Sequence, residues 1–327
     1  MKQQLKKMIL SAVADELEQV EIALNQNLTP YLELVQKIAG HILFSGGKRL
    51  RPLLMILCAR MCGYKSESLI HYSTMFEYLH VATLLHDDVI DQADMRRGKK
   101  AAHHVFGAAE TVLTGDYLLA KSLAIAGETG KMAIIQLAAK ITEEMAQGEL
   151  LQMVHQRNPN LTEQDYLKIV QSKTAVLMQA SCESGAILAD ASPDILKSVS
   201  IYGKNVGTAF QIADDILDYT AETKILGKQI GADLREGKLT LPVIYTLHKA
   251  NTTEQSFIEK MIQNEHFSHT DFEKLLEIMA TYNSIGFCMS QAEAYVDKAR
   301  NALKTIPETS EHQLLYHIAD FVVARDY

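Results

Sequence analysis

The chain has no tryptophan, only four cysteines and only six prolines in 327 residues. So few cysteines in so long a chain exclude the dense disulfide framework of a small secreted domain. Cys58 and Cys62 are four residues apart, but no second Cys or His pair at zinc-finger spacing accompanies them. We therefore interpret them as buried core thiols rather than as metal ligands. No apolar run reaches the roughly 18 residues that a membrane-spanning helix needs.

Positive charge is also scarce, because the formal net charge is −8. This balance argues against a general nucleic-acid-binding protein, which carries a basic patch. The first residues do not show the basic segment, apolar stretch and cleavage site of a secretory signal. We therefore expect a cytoplasmic protein without a nucleic-acid partner.

Alternation of apolar and polar residues, the mark of a half-buried strand, is nearly absent, whereas helical spacing is common. Hydrophobic residues make up 47% of the chain, which is enough for a sizeable core, and no linker-like stretch interrupts it. The sequence predicts an all-α fold of ten or more helices in a single domain over residues 1–327. Thr29-Pro30 and Ser192-Pro193 each combine a capping residue with a proline, so we expect a helix to begin at Pro30 and at Pro193.

Three carboxylates lie in an apolar segment and are followed closely by two arginines. The carboxylates are Asp87, Asp88 and Asp91, and the arginines are Arg96 and Arg97. On a helix, Asp87 and Asp91 share one face, where two negative charges repel unless a cation lies between them. Carboxylate oxygens suit Mg²⁺, and guanidinium groups bind phosphate bidentately. The segment therefore predicts a site for a metal-bound phosphate ester.

The same Asp-Asp-x-x-Asp spacing recurs in a second apolar segment at Asp214, Asp215 and Asp218. One acidic triplet on a helix is usually a solvated face. Two copies in apolar surroundings favour a pair of helices that hold metal ions in a bundle interior, where such sites are commonly built.

Two further segments have the composition of phosphate-binding loops. Lys48, Arg49 and Arg51 follow two glycines that allow the backbone to approach a ligand closely. Residues 223–238 form a polar stretch with three glycines and the lysines Lys228 and Lys238. We expect this stretch to be a loop that closes over a phosphate and excludes water.

Together, the two aspartate motifs, the Gly-Gly-Lys-Arg-Leu-Arg-Pro segment and the downstream lysines resemble the trans-isoprenyl (all-E polyprenyl) diphosphate synthase family. The resemblance extends from near Gly40 to near Tyr245. Within the family, the chain is most similar to the large catalytic subunit of heptaprenyl diphosphate synthase. One departure is the segment after Arg97, where relatives usually have a proline and this chain has none.

The resemblance implies an isoprenoid-synthase bundle of helices around a central cavity and a Mg²⁺-dependent prenyltransferase, with three metal ions. The enzyme would condense isopentenyl diphosphate with an allylic diphosphate such as farnesyl diphosphate. The implied metal ligands are Asp87, Asp91 and Asp214, and the wider catalytic set adds Asp88, Asp215, Asp218, Arg96 and Lys173. The implied isopentenyl diphosphate ligands are Lys48, Arg51, His80 and Arg97. The implied allylic diphosphate ligands are Arg96, Lys173, Thr174, Gln211, Lys228 and Lys238.

Product length is expected to depend on the residues that precede the first motif. In relatives with short products, an aromatic residue at the fourth or fifth position before the motif blocks the growing tail. Here those positions hold Thr83 and Ala82, and the next residue towards the N-terminus on that face is Leu79. We therefore expect a product of six to eight isoprene units, with the twenty-carbon geranylgeranyl chain as the alternative.

Other classes of protein share parts of this pattern. A class I terpene cyclase has an Asp-rich helix but lacks the basic turn and carries a different second metal motif. A di-iron carboxylate bundle needs two Glu-x-x-His pairs, and Glu77 with His80 is the one pair present. A non-catalytic subunit would have decayed motifs. The resemblance implies a homodimer, with a small non-catalytic partner chain as a second possibility, and transient membrane contact during product release.

Overall fold

A computed structural model describes residues 2–30, 32–220, 231–264 and 266–324. In chain order its α-helices are α1 Lys2–Ala12, α2 Ala14–Asn27, α3 Glu33–Leu43, α4 Leu50–Met61, α5 Ser68–Ile90, α6 Ala102–Phe106, α7 Ala108–Glu128, α8 Met132–Val154, α9 Glu163–Val170, α10 Val176–Leu188, α11 Pro193–Thr220, α12 Ala232–Arg235, α13 Leu241–Lys249, α14 Thr252–Gln263, α15 His269–Thr281, α16 Ser284–Leu303 and α17 Ser310–Val323. A π-helical turn, Gln171–Ala175, joins α9 to α10. Two short strands, β1 Met95–Arg96 and β2 Lys99–Lys100, pair antiparallel. The prediction of an all-α fold is confirmed.

The chain divides into two compact units. The first comprises Met1–Ile141, Leu177–Gly203 and Ala302–Ile318, and the second comprises Thr142–Val176, Lys204–Asn301 and Ala319–Tyr327. The expectation of one domain over residues 1–327 stays a prediction. None of the helices in the described ranges combines the length and the apolar character needed to cross a lipid bilayer.

The first unit is built around α5, which packs against α2, α4 and α7. Buried residues occur on all sides of α5 along most of its length, as expected of a helix enclosed by others. Tyr78 is fully buried, and its hydroxyl donates to the Leu24 carbonyl at 2.7 Å. This pairing satisfies the polar end of a large buried ring. Cys58 is buried in this unit, and Cys62 is half-buried; both are free thiols, so the interpretation of a core role is confirmed for Cys58.

The second unit has its own apolar core, formed by residues of α9, α11 and the helices from α12 to α16. Two of its helices begin with a capping box. Asn251 and Glu254 make a capping box at α14, and Ser268 and Asp271 make another at α15. Each box satisfies backbone N–H groups that a helix start otherwise leaves unpaired.

Of the two helices that were predicted to begin at a proline, one does so and the other does not. Helix α11 begins at Pro193, and the Ser192 hydroxyl accepts from the Ile195 N–H at 3.4 Å, so this prediction is confirmed. The prediction at Pro30 is wrong, because α3 begins at Glu33. The preceding Leu32 has extended backbone (φ −100°, ψ 113°), which a helix cannot include. Local propensity was therefore overridden at this position.

Helices α4 and α10 approach each other so closely that one position accepts only glycine. A Cβ atom on Gly185 would lie 2.4 Å from the Met55 carbonyl oxygen and 2.8 Å from the Ala59 nitrogen. Both neighbours are backbone atoms, which cannot rotate away as a side chain would. The absence of a side chain at Gly185 therefore sets the separation of these two helices.

We expect Gly185→Ala to lower the free energy of unfolding by roughly 1–3 kcal/mol, as overpacking of a core does. Alanine's higher helix propensity, about 1 kcal/mol, does not offset this clash. The matched control is Gly127→Ala in α7, where a Cβ meets no heavy atom within 4 Å; it should leave stability unchanged or slightly raised. Urea unfolding followed by circular dichroism measures both variants, and equal stability of the two would contradict the assignment.

Candidate active site

The first aspartate motif lies at the carboxyl end of α5. The helix ends at Ile90, and the Asp91 N–H donates to the Asp87 carbonyl at 2.8 Å, so the last helical turn includes Asp91. Asp87 and Asp91 therefore share one side of the turn, as the spacing predicted. Both side chains are half-buried, whereas Asp88 is completely buried. Only two of the three carboxylates are thus accessible to a ligand.

Asp88 connects the motif to the β1–β2 hairpin. Its Oδ1 accepts from Nε of Arg96 at 2.8 Å and from a second nitrogen of the same guanidinium. The hairpin turn consists of Arg97 and Gly98, both with positive φ (52° and 75°), as a type I′ turn requires. The segment without the family's proline is therefore a two-residue hairpin, which the sequence analysis did not predict. A buried ion pair holds Arg96 next to the motif.

The basic turn before α4 is fixed by its middle residue. Arg49 is buried with left-handed backbone (φ 45°), and its guanidinium donates to Glu77 at 2.6 Å, to Glu21 at 2.6 Å and to the Leu43 carbonyl at 2.6 Å. Glu77 therefore pairs with an arginine, which argues against the di-iron alternative, because that alternative needs Glu77 as a metal ligand. Arg49 belongs to the predicted phosphate-binding turn but was not predicted to bind a substrate itself. Its neighbours Lys48 and Arg51 remain exposed and half-buried respectively.

A cluster of positive charge surrounds His80. Burial first, and then the charges of Arg51, Arg97, Arg96 and Arg49, lower the pKa of His80 well below its usual value. His80 is therefore neutral at pH 7, when one ring nitrogen carries a proton that it can donate to an anion. Two of the other predicted isopentenyl diphosphate ligands, Arg51 and Arg97, thus lie within electrostatic range of His80.

Arg97 is held by backbone carbonyls. Its Nη1 donates to the carbonyl of Ile42 at 3.3 Å and to that of Gly46. Burial lowers the pKa of Arg97 from its usual value, but a guanidinium remains charged at any physiological pH. The Gly46 turn and the hairpin are therefore joined at a concentration of positive charge that suits a polyanion.

The second aspartate motif lies in α11 and contains one exposed carboxylate, that of Asp214. Asp215 is buried and accepts from the Tyr166 hydroxyl at 2.6 Å and from Nε2 of Gln211 at 2.7 Å. Burial, and then the nearby charge of Asp233, raises the pKa of Asp215 well above its usual value. Gln211 therefore contacts its own motif, and its predicted contact with the allylic diphosphate stays a prediction.

Asp218 caps the short helix α12. Its carboxylate accepts from the backbone N–H groups of Ala232 and Asp233, each at 3.2 Å, and its carbonyl accepts from the Gly231 N–H at 2.9 Å. The predicted loop 223–238 is therefore partly wrong, because residues 232–235 are helical. A glycine with left-handed backbone (φ 72°) and an external carboxylate together start this helix.

Residues 223–238 contain two lysines that were predicted to bind the allylic diphosphate. Lys238 lies after α12, and its Nζ pairs with Glu236 at 2.9 Å. Lys228 lies outside the described residues.

Lys173 and Thr174 lie in the π-helical turn between α9 and α10. The Lys173 Nζ pairs with Glu149 at 2.5 Å and donates to Oε1 of Gln152 at 2.8 Å. Both partners are in α8, one turn apart, and the sequence analysis did not select them. The Glu-x-x-Gln spacing after Gly148 is the feature of the sequence that could have indicated them.

The three residues predicted to control product length lie along α5. Leu79 and Ala82 are buried (1% and 2% exposed), and Thr83 is half-buried with its hydroxyl donating to the His80 carbonyl at 2.8 Å. Their predicted role stays a prediction.

Comparison with known proteins gives a consistent result. A family model described as polyprenyl synthetase matches residues 32–279. Octaprenyl diphosphate synthase from Escherichia coli (strain K12) is 36% identical over 313 residues, which cover 96% of this chain and 97% of that protein. Heptaprenyl diphosphate synthase component 2 from Geobacillus stearothermophilus is 34% identical and covers 98% of this chain and 99% of that protein.

A solved structure gives the same result at the level of the fold. The polyprenyl synthase from Caulobacter crescentus CB15, complexed with calcium and isoprenyl diphosphate, matches with a TM-score of 0.92 and 35% identity over 97% of each chain. The helical fold and the two aspartate motifs thus define a prenyltransferase of the isoprenoid synthase type. The chain belongs to the polyprenyl synthetase family, and the resemblance seen in the sequence is confirmed.

The contacts of the second motif predict a division of roles. Asp218→Ala removes the acceptor of two backbone N–H groups and should lower the free energy of unfolding by about 1–2 kcal/mol. Asp214→Ala removes an exposed carboxylate and should change stability by less than about 0.5 kcal/mol.

Urea unfolding measures the stability of both variants, and amide hydrogen exchange of residues 231–235 should be faster in the Asp218 variant alone. Faster exchange in the Asp214 variant instead would reverse the assignment.

Proposed function

We propose that this enzyme condenses isopentenyl diphosphate with an allylic diphosphate, such as farnesyl diphosphate, to give an all-trans polyprenyl diphosphate. The observation that carries this proposal is the cluster of Arg51, Arg97 and Arg96 around the neutral His80, on the helix that ends in Asp87 and Asp91. A diphosphate needs positive charge and N–H donors, and its metal ions need carboxylate oxygens.

Asp87, Asp91 and Asp214 are the proposed ligands of Mg²⁺, with three ions as the expected number. Among the described residues, no group of three or more His, Cys, Asp or Glu side chains has the arrangement of a metal site. The donor set Asp87, Asp91 and Asp214 nevertheless fits Mg²⁺, because this ion binds through one or two carboxylates and completes its shell with water and substrate phosphates. When bound at these carboxylates, Mg²⁺ would supply positive charge to offset the charge that develops on the leaving diphosphate.

The protein side chains have separate tasks in the proposed reaction. Lys48, Arg51, His80 and Arg97 hold isopentenyl diphosphate. Arg96, Lys173, Thr174, Gln211 and Lys238 hold the allylic diphosphate, together with Lys228. Asp88, Asp215 and Asp218 support this set, because their contacts fix Arg96, Gln211 and the start of α12.

The chemistry follows from holding the two substrates without water. The allylic C–O bond breaks, and the electron pair leaves with the diphosphate, so that a resonance-stabilised allylic cation remains. The double bond of isopentenyl diphosphate attacks this cation, and loss of a proton completes the new chain. The departing diphosphate is the proposed proton acceptor. Water must be excluded because it would trap the cation.

An assay with radiolabelled isopentenyl diphosphate and farnesyl diphosphate tests this function. We expect labelled polyprenyl diphosphate in the presence of Mg²⁺ and none after chelation. Asp87→Ala should lose most of the rate, because its carboxylate acts mainly as charge develops, and its circular dichroism spectrum should match that of the wild type. A terpene cyclase would instead release a hydrocarbon without consuming label. Full activity of Asp87→Ala would contradict the proposed metal site.

We infer a product of six to eight isoprene units. The names of two relatives, an octaprenyl and a heptaprenyl diphosphate synthase, support this range. Ala82 is five residues before Asp87, which corresponds to about 7.5 Å along the helix axis. An alanine at that height leaves space for a growing tail where a large ring would form a floor. Geranylgeranyl diphosphate is the alternative product.

Ala82→Phe should shorten the product to fifteen or twenty carbons, because the ring would block the tail near the first motif. Thin-layer chromatography of the dephosphorylated products measures the change. Ala82 is buried, so the unfolding midpoint must be measured with it to separate blocking from misfolding. A folded, active variant with an unchanged product distribution would show that Ala82 does not contact the tail.

The proposed assembly is a homodimer. Helix α7 exposes Leu113 (66% exposed) and, to a smaller extent, Val112 and Leu123. Large apolar side chains that recur along one helix are typical of a surface that a partner covers. The name of one relative, heptaprenyl diphosphate synthase component 2, supports a different partner subunit as the alternative, and the family resemblance implies that this subunit is small and non-catalytic. The proposed location is the cytoplasm, with transient membrane contact for release of an apolar product.

A further inference from the structure

Two side chains of α8 hold Lys173 in place without any substrate. Its side chain is 24% exposed, and its ammonium lies 2.5 Å from Oε2 of Glu149 and 2.8 Å from Oε1 of Gln152. Glu149 is more enclosed than Lys173, with a side chain 14% exposed. The pair is therefore not an ordinary surface salt bridge, whose two solvated side chains exchange among many rotamers.

The backbone around Lys173 is also shaped for this contact. A Cβ atom on Gly148 would lie 2.8 Å from Cβ of Ser172 and 2.9 Å from the Lys173 nitrogen. A Cβ atom on Gly207 would lie 2.6 Å from Cα of Ala175. Glycines of α8 and α11 thus allow both helices to contact the π-helical turn directly, and such turns are frequent at functional sites.

The position of Glu149 follows from this close approach. It is the residue after Gly148, so the tight contact between α8 and the π-helical turn places its carboxylate next to the Lys173 ammonium. Gln152 is three residues further, on the same side of α8. A lysine side chain loses up to about 2 kcal/mol of rotamer entropy when it is fixed. Two acceptors that fix it in advance remove that cost from substrate binding.

We propose that Glu149 and Gln152 are positioning residues, which hold the Lys173 ammonium in the place where it meets the allylic diphosphate. The proposal rests on the proposed function, in which Lys173 is a ligand of that diphosphate. Neither residue needs to touch the substrate. They increase the affinity for the allylic substrate and do not change the affinity for isopentenyl diphosphate.

Steady-state kinetics of three variants of α8 test whether Glu149 affects the affinity for the allylic substrate alone. Glu149→Ala should raise KM for farnesyl diphosphate about tenfold and leave KM for isopentenyl diphosphate unchanged. Glu149→Gln keeps an acceptor oxygen at the same distance, so its KM should return to within about threefold of the wild-type value. The matched control is Glu143→Ala, on the same helix but exposed and bonded only weakly to Gln147 at 3.3 Å; it should change neither KM.

A double-mutant cycle with Lys173→Ala shows whether Glu149 acts through the lysine. Once Lys173 is absent, Glu149→Ala should raise KM for farnesyl diphosphate no further. Independent, multiplicative effects of the two substitutions would overturn the proposal, as would equal changes in both KM values. If Lys173→Ala itself leaves KM for farnesyl diphosphate unchanged, the proposed role of Lys173 fails instead, so the two failures are distinguishable.

Gln152→Ala gives an independent second measurement if Glu149→Ala does not fold. It removes a neutral acceptor and no buried charge, so it should fold with an unchanged circular dichroism spectrum. We expect a rise in KM for farnesyl diphosphate of about threefold, again absent in the Lys173→Ala background. A folded Gln152→Ala enzyme with wild-type kinetics would remove Gln152 from the proposal.

Discussion

Repulsion between neighbouring carboxylates is the constraint on which the rest of this structure depends. Each motif concentrates three aspartates within five residues, and ionised carboxylates so close together are unfavourable unless each has its own compensation. For three of the six, the contacts that compensate the charge are clear in the structure. Asp88 pairs with a guanidinium, Asp215 accepts from a phenol and an amide, and Asp218 accepts from two backbone N–H groups. Asp87, Asp91 and Asp214 are more accessible than these three, and they are the residues that we propose as metal ligands.

Each motif therefore contains two kinds of aspartate, those that are buried and those that are accessible. The buried aspartates organise their surroundings: one fixes the hairpin, one fixes a glutamine of its own helix, and one starts a short helix after the second motif. Removing such a residue leaves a buried donor or cation without a partner, which costs more than the original contact contributed. Loss of activity in a variant of Asp88, Asp215 or Asp218 is therefore not by itself a sign of metal ligation. Stability must be measured beside activity at these positions.

Features carried by local sequence could be predicted, and features that depend on distant partners could not. The long helix α5, the start of α11 at Pro193 and the accessible side of the first motif follow from spacing over a few residues. The two carboxylate partners of Arg49 are 28 residues away along the chain, one in each direction, so no charged residue near the basic turn indicates that its middle cation is structural.

The same distinction applies to the candidate site. The contact of Lys173 with Gln152 joins residues 21 positions apart and depends on a π-helical turn, which has no pattern of hydrophobic spacing. The hairpin was missed because strands of two residues are too short for alternation to show.

The hairpin also directs two adjacent arginines to different partners. Arg96 turns back to a carboxylate of the helix that precedes it, whereas Arg97, at the turn, contacts the carbonyls of a segment some fifty residues earlier. Arg96 ends β1 and Arg97 begins the two-residue turn, so an extra residue in the turn would change the backbone conformation that directs Arg97 away from Arg96. The two-residue length of this loop is therefore a constraint on the protein in addition to the arginines themselves. Insertions here should be rarer among working enzymes than substitutions of the flanking lysines.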